Sequence, residues 1–252
     1  MANWQDPRGT TGADRGVNTA TVGVPRAARD AGLRSYMLSV YNYMASGVLL
    51  TGIIALLFAP YAGQVLISAT GRGLSAIGWI VTLSPLAIVF AMSFGMTRMR
   101  TSTLQLLFWA FAALMGLSMS TLFLAYTGVS IAQTFFATAA AYLGLSLYGY
   151  TTKRDLSGFG TFLIMGVVGL FVAMLINLFL QSSVLNLAIS AIGVLIFAGL
   201  TAYDTQKIKS IYYVVAGQGE AVAKSAVIGA LNLYIDFINM FLFLLRFMDD
   251  RR

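Results

Sequence analysis

Residues 226–247 read AVIGALNLYIDFINMFLFLLRF, an apolar run interrupted by one carboxylate, Asp236, and two amides, Asn232 and Asn239. About 20 helical residues cross a hydrocarbon core, and a carboxylate at its centre costs about 2.5–3.5 kcal/mol on insertion scales. A run this apolar that keeps an acid reads as a transmembrane helix whose acid faces a cavity, pairs by hydrogen bonding within the bundle, or carries a proton or an ion. Asn232 and Asp236 are four residues apart and Asp236 and Asn239 three, so one helical face holds all three.

Six earlier runs have the same character: 36–58, 76–95, 104–126, 131–150, 159–180 and 184–205. Of the 252 residues, 58% are hydrophobic and 10% charged, against about 45–50% and about 25% in soluble domains. The alternating strands of an outer-membrane barrel are not present in the sequence. The expected fold is all-α: a seven-transmembrane-helix integral membrane bundle over residues 35–252. Residues 1–34 carry Arg8, Arg15, Arg26, Arg29 and Arg34 among Gly, Pro, Thr and Asp, and read as a flexible basic N-terminal tail. No apolar signal-peptide core follows Met1. Within the spans, Gly116, Gly144, Gly166, Gly169, Gly193 and Gly199, with the pairs Ala140–Gly144 and Ala198–Ala202, are expected to mark close helix packing.

Basic residues set the orientation. With the N-terminus cytoplasmic, the inner side collects the tail arginines, Arg98, Arg100, Lys153, Arg154, Lys207, Lys209 and Lys224. The outer side receives Arg72, Arg246, Arg251 and Arg252. The positive-inside rule therefore favours a cytoplasmic N-terminus, and it accounts for the net charge of +7 without a nucleic-acid partner. Only the C-terminal bases argue otherwise, and a re-entrant last segment in a six-span chain would keep that end inside.

Neither Cys nor His occurs, which excludes disulfides, thiolate chemistry and the usual neutral-pH proton carrier. Walker, dinucleotide and zinc signatures are also missing. Of the acids, only Asp204, near the end of the sixth run, and Asp236 fall within a span. If the sixth helix continues past Asp204 through Lys207-Ile-Lys-Ser-Ile-Tyr-Tyr, the two carboxylates can meet. Like charges in low dielectric do not both ionise easily, so such a pair shares a proton. It also offers hard oxygen ligands of the kind calcium takes, making Asp204 and Asp236 the candidate metal-contacting residues and Asn232 and Asn239 the candidate pore-lining ones.

Thr201-Ala-Tyr-Asp-Thr-Gln-Lys-Ile-Lys209 together with Asn232-Leu-Tyr-Ile-Asp-Phe-Ile-Asn-Met-Phe-Leu-Phe-Leu-Leu-Arg246 resembles the Bax inhibitor-1, or TMBIM, family, as does Lys153-Arg-Asp-Leu-Ser157 after the fourth span. The resemblance covers roughly residues 35–248. It implies a last helix held centrally by the other six and a pH-sensitive calcium leak. By motif position the sensor aspartates are Asp204 and Asp236 and the latch is Arg98, with Arg100 beside it. Calcium and protons are then the permeant or transiently bound ions, the bilayer is the surrounding partner, and no cofactor is tightly held. The second span has Ala87 mid-helix and no acid, so any family use of an acid there is lost.

Three other readings compete with the leak. An intramembrane aspartyl protease also needs two membrane carboxylates, and Tyr203-Asp204 fits its first motif. Its Gly-x-Gly-Asp motif is missing, because Leu233-Tyr-Ile precedes Asp236, so the chain is read as not an enzyme. The leading alternative is a membrane interaction protein that modulates a membrane-bound protease or a stress response. Proton-coupled solute transport would call for inverted repeats, which are not evident. An inner bacterial membrane is the expected location.

Overall fold

The computed structural model describes residues 26–70 and 73–248, with side chains from residue 30 onward. The expectations for residues 1–25, and for Arg72, Arg251 and Arg252, lie outside the described residues, as do the side chains of Arg26 and Arg29. The helices are α1 (Arg26–Val65), α2 (Ala76–Gly95), α3 (Thr101–Met119), the single turn α4 (Leu122–Ala125), α5 (Gly128–Thr151), α6 (Ser157–Leu180), α7 (Ser183–Val215) and α8 (Gly219–Met248). Seven of these stretches, with α3 and α4 counted together, are long and apolar enough to cross a membrane. The chain is an all-α integral membrane protein.

The apolar runs become helices because hydrocarbon offers no partner for a free backbone amide or carbonyl. Short polar side chains set the boundaries. Ser75, Thr127 and Ser182 accept hydrogen bonds from Gly78 N, Ser130 N and Leu185 N at the starts of α2, α5 and α7. Between α3 and α4, the Ser120 and Thr121 hydroxyls donate back to Leu117 O and Ser118 O. Such local bonds compete with the helical ladder. Gly217, at φ +86°, supplies the left-handed residue in the turn from α7 to α8.

α8 is the axis of the bundle. In its most apolar stretch 67% of residues are buried, against 11% in α6. α1, α3, α5 and α7 pack on it, whereas α2 packs principally on α3, and α6 on α7. The expected ring of six neighbours is thus four, with two helices in an outer layer. A buried polar tie fastens the axis: Thr51 Oγ1 lies 2.6 Å from Tyr234 Oη and donates to Ala112 O at 2.8 Å.

Four boundaries differ from the sequence expectation by seven residues or more, one of them the start of α8, at Gly219 rather than 226. α1 starts at Arg26, inside the stretch assigned to the tail, and buries Leu33, Tyr36 and Met37. Tyr36 packs on Tyr212, ring centroids 5.3 Å apart. α1 also continues through Pro60, as membrane helices tolerate when neighbours re-satisfy the freed carbonyl. α7 runs on to Val215. Among the glycines, Gly116, Gly166, Gly193 and Gly199 are packed against neighbouring helices, whereas Gly144 and Gly169 face open space. The last two are therefore not packing contacts.

Candidate functional site

α8 carries Asp236 to mid-bundle, roughly 18 Å along the helix from Met248 by rise per residue. Its side chain is 4% exposed, and Oδ2 has no hydrogen-bond partner among the described residues. α7 lies against α8 and continues eleven residues past Asp204, which places that acid inside the bundle and half-buried. The Asp236 carboxyl feels the charge of Asp204, and the Tyr142 phenol feels both. Lys207, one turn beyond Asp204, is exposed, with its ammonium 5.8 Å from the Tyr203 ring centroid.

The other candidates are placed less centrally. Asn232 and Asn239 are half-buried, and Asn239 Nδ2 donates to Ile235 O of its own helix at 2.9 Å. Its carbonyl oxygen is left for another partner. Arg98 and Arg100 are exposed between α2 and α3. The one ion pair among the described residues is Lys224–Glu220, at 3.0 Å, so neither arginine holds an aspartate there. Just before Arg98 in the chain, Met96 and Thr97 line a cleft of about 530 Å³ opposite Gln218, Glu220 and Lys224.

A row of hydroxyls on α5 completes the site and is absent from the sequence reading. Ser130, Thr134, Thr138, Tyr142 and Ser146 are all buried on one side of that helix. Thr138 Oγ1 donates to Thr134 O at 2.8 Å, and Tyr142 Oη reaches Leu233 O at 3.4 Å. Ser146 Oγ lies 3.1 Å from Thr205 Oγ1 and 2.5 Å from Tyr41 Oη, linking α5, α7 and α1 beside Asp204. The signal was a hydroxyl at every fourth position of a span, a period that keeps them on one face. Nothing in the sequence singles out Gln206, yet its Oε1 accepts from Leu156 N at 2.9 Å and its Nε2 donates to Arg154 O at 2.8 Å. It clasps the α5–α6 loop to α7 two residues after Asp204.

Among the described residues no group of three or more acidic side chains forms. The oxygen donors in this part of the bundle are the two carboxylates and the α5 hydroxyls, atoms of the kind a hard cation takes.

The family described as "Inhibitor of apoptosis-promoting Bax1" matches residues 33–252. The chain belongs to the Bax inhibitor-1 family. Its relatives include the inner membrane protein YbhL of Escherichia coli (strain K12), 42% identical over 95% of this chain and 100% of that protein. An uncharacterized protein of Rickettsia prowazekii (strain Madrid E) is 49% identical over 88% of this chain and 92% of its own length. One from Caulobacter vibrioides is 45% identical, over 88% and 91%. Bax inhibitor-1 membership thus extends over the whole seven-helix region, including both aspartates.

Proposed function

We propose that this chain is a pH-sensitive calcium leak of a bacterial inner membrane, with a cytoplasmic N-terminus and the Asp204–Asp236 pair as its sensor. The observation that carries the reading is the buried Asp236 carboxyl, which has one oxygen unpartnered and sits on a helix packed against the one that carries Asp204. Two acids confined together in low dielectric are balanced by a shared proton or by a cation. The species that enters therefore sets the charge of the bundle interior. The α5 hydroxyls supply oxygen contacts along the route, and Tyr41, Ser146 and Thr205 stand beside Asp204.

In this reading Arg98, or Arg100 beside it, engages Asp204 in a second state. Closing the cleft between the end of α2 and the start of α8 brings the guanidinium inward, and protonation of the pair removes what holds it there. Basic side chains crowd this same end (Arg34, Lys153, Arg154, Lys207, Lys209 and Lys224), which supports placing it in the cytoplasm. The name of the Escherichia coli relative supports the choice of membrane.

Calcium release from loaded liposomes tests the reading. Wild type should leak at a rate that changes between mildly acidic and mildly alkaline buffer. Asp204→Asn and Asp236→Asn should leak with a flat pH profile, and Arg98→Ala should shift the profile. Absence of wild-type flux at every pH contradicts the proposal and returns the chain to a role as an interaction partner of another membrane protein.

A further inference from the structure

α1 and α5 both pack on α8 yet scarcely touch one another; the Tyr41–Ser146 hydrogen bond is their bridge. Two cavities are strung along the resulting seam. The one nearer the basic end, about 500 Å³, lies between Arg34, Leu38 and Tyr41 of α1 and Leu143, Leu147 and Tyr150 of α5. The other, about 340 Å³, is floored by Phe237, Ile238 and Phe241 of α8 and walled by residues around Gly52 and Ala132. Leu38, Tyr41, Ala45, Leu49 and Gly52 follow the helical repeat down one face of α1, so both cavities lie along that face.

Leu38, Leu49, Leu143, Leu147 and Phe136 are 52–72% exposed along it. In a membrane protein, an apolar furrow that opens sideways faces acyl chains. At its mouth Arg34 is exposed and pairs with no carboxylate among the described residues. Lys153 and Arg154 follow Tyr150 within one turn. The charge at the mouth complements a phosphate, while the tail seat is apolar.

We propose that the α1–α5 seam is a binding site for one anionic phospholipid, its phosphate at Arg34 and an acyl chain reaching the cavity beside Gly52. A lipid seated there lies against the Tyr41–Ser146 bridge, next to the residues that surround Asp204.

Native mass spectrometry of the purified chain, offered equal phosphatidylglycerol and phosphatidylcholine, tests this. Wild type should retain one phosphatidylglycerol in preference. Arg34→Ala should reduce that preference about fivefold, the worth of one basic residue at an anionic surface. Gly52→Leu should abolish retention of both lipids. A Cβ at residue 52 meets nothing within 4 Å, so the backbone there accepts a side chain that projects into the seat, and circular dichroism checks that the fold is kept. Equal retention of the two lipids by wild type, or unchanged retention by Gly52→Leu, overturns the proposal. A dimer that Gly52→Leu dissociates overturns it too, by giving the seam to a second copy of the chain.

Discussion

Asp236 and Tyr234 sit two residues apart on α8 and illustrate opposite uses of a buried polar group. Tyr234 is tied to Thr51, which is tied in turn to Ala112 O, whereas Asp236 retains an unpartnered oxygen. Thr51→Val strands the Tyr234 hydroxyl and should cost about 1–3 kcal/mol, the penalty for an unsatisfied buried group. Tyr234→Phe leaves Thr51 bonded to Ala112 O and should cost about 0.5–1.5 kcal/mol. Reversible unfolding in mixed detergent micelles measures both, and equal costs would remove the tie from the account. Asp236 was legible in the sequence because a carboxylate is conspicuous in apolar surroundings. Tyr142, Ser146 and Thr205 were not, since hydroxyls are ordinary in membrane helices and only the fold decides whether they face lipid or each other.

Contacts between helices explain which small residues are indispensable. At Gly149 a Cβ would collide with the backbone of Ala202, while at Gly144 it would meet nothing. Gly149→Val should therefore destabilise the α5–α7 crossing by about 1–3 kcal/mol. Gly144→Ala should be neutral or stabilising by up to about 1 kcal/mol, the helix-propensity gain. Thermal unfolding of the two variants side by side checks the contrast. Span positions could be read from apolar length alone, but not which glycines touch a neighbour, because periodicity shows that a face exists and not what lies against it. The start of α6 offers a pH test outside the membrane. The Ser157 hydroxyl, and then its amide, hold the Asp155 carboxyl below the ordinary carboxylate range. Its folded value is the lower one, so its contribution is present above the unfolded value and fades as pH falls through the folded one. Ser157→Ala should return the titration of Asp155, followed by carboxyl-carbon NMR, toward the ordinary value.

For the bundle as a unit, the seven crossings and the central last helix follow from hydropathy and from the family resemblance, and the structure bears both out. The two-layer arrangement, with α2 and α6 outside, could not be read, because every span is apolar enough to face lipid. Orientation rests on charge and can be measured cleanly, since the chain contains no cysteine. A single Ser157→Cys should be labelled by an impermeant maleimide only from the cytoplasmic side, and Ser183→Cys only from the opposite side. The reverse labelling would invert the proposed topology and leave the site intact. The central claim is that Asp204 and Asp236 hold one proton jointly, and infrared difference spectroscopy across a pH titration addresses it most directly. The account predicts a single carboxyl band that titrates in wild type and is altered by either Asp204→Asn or Asp236→Asn; two bands titrating independently, each untouched by substitution of the other residue, would contradict it.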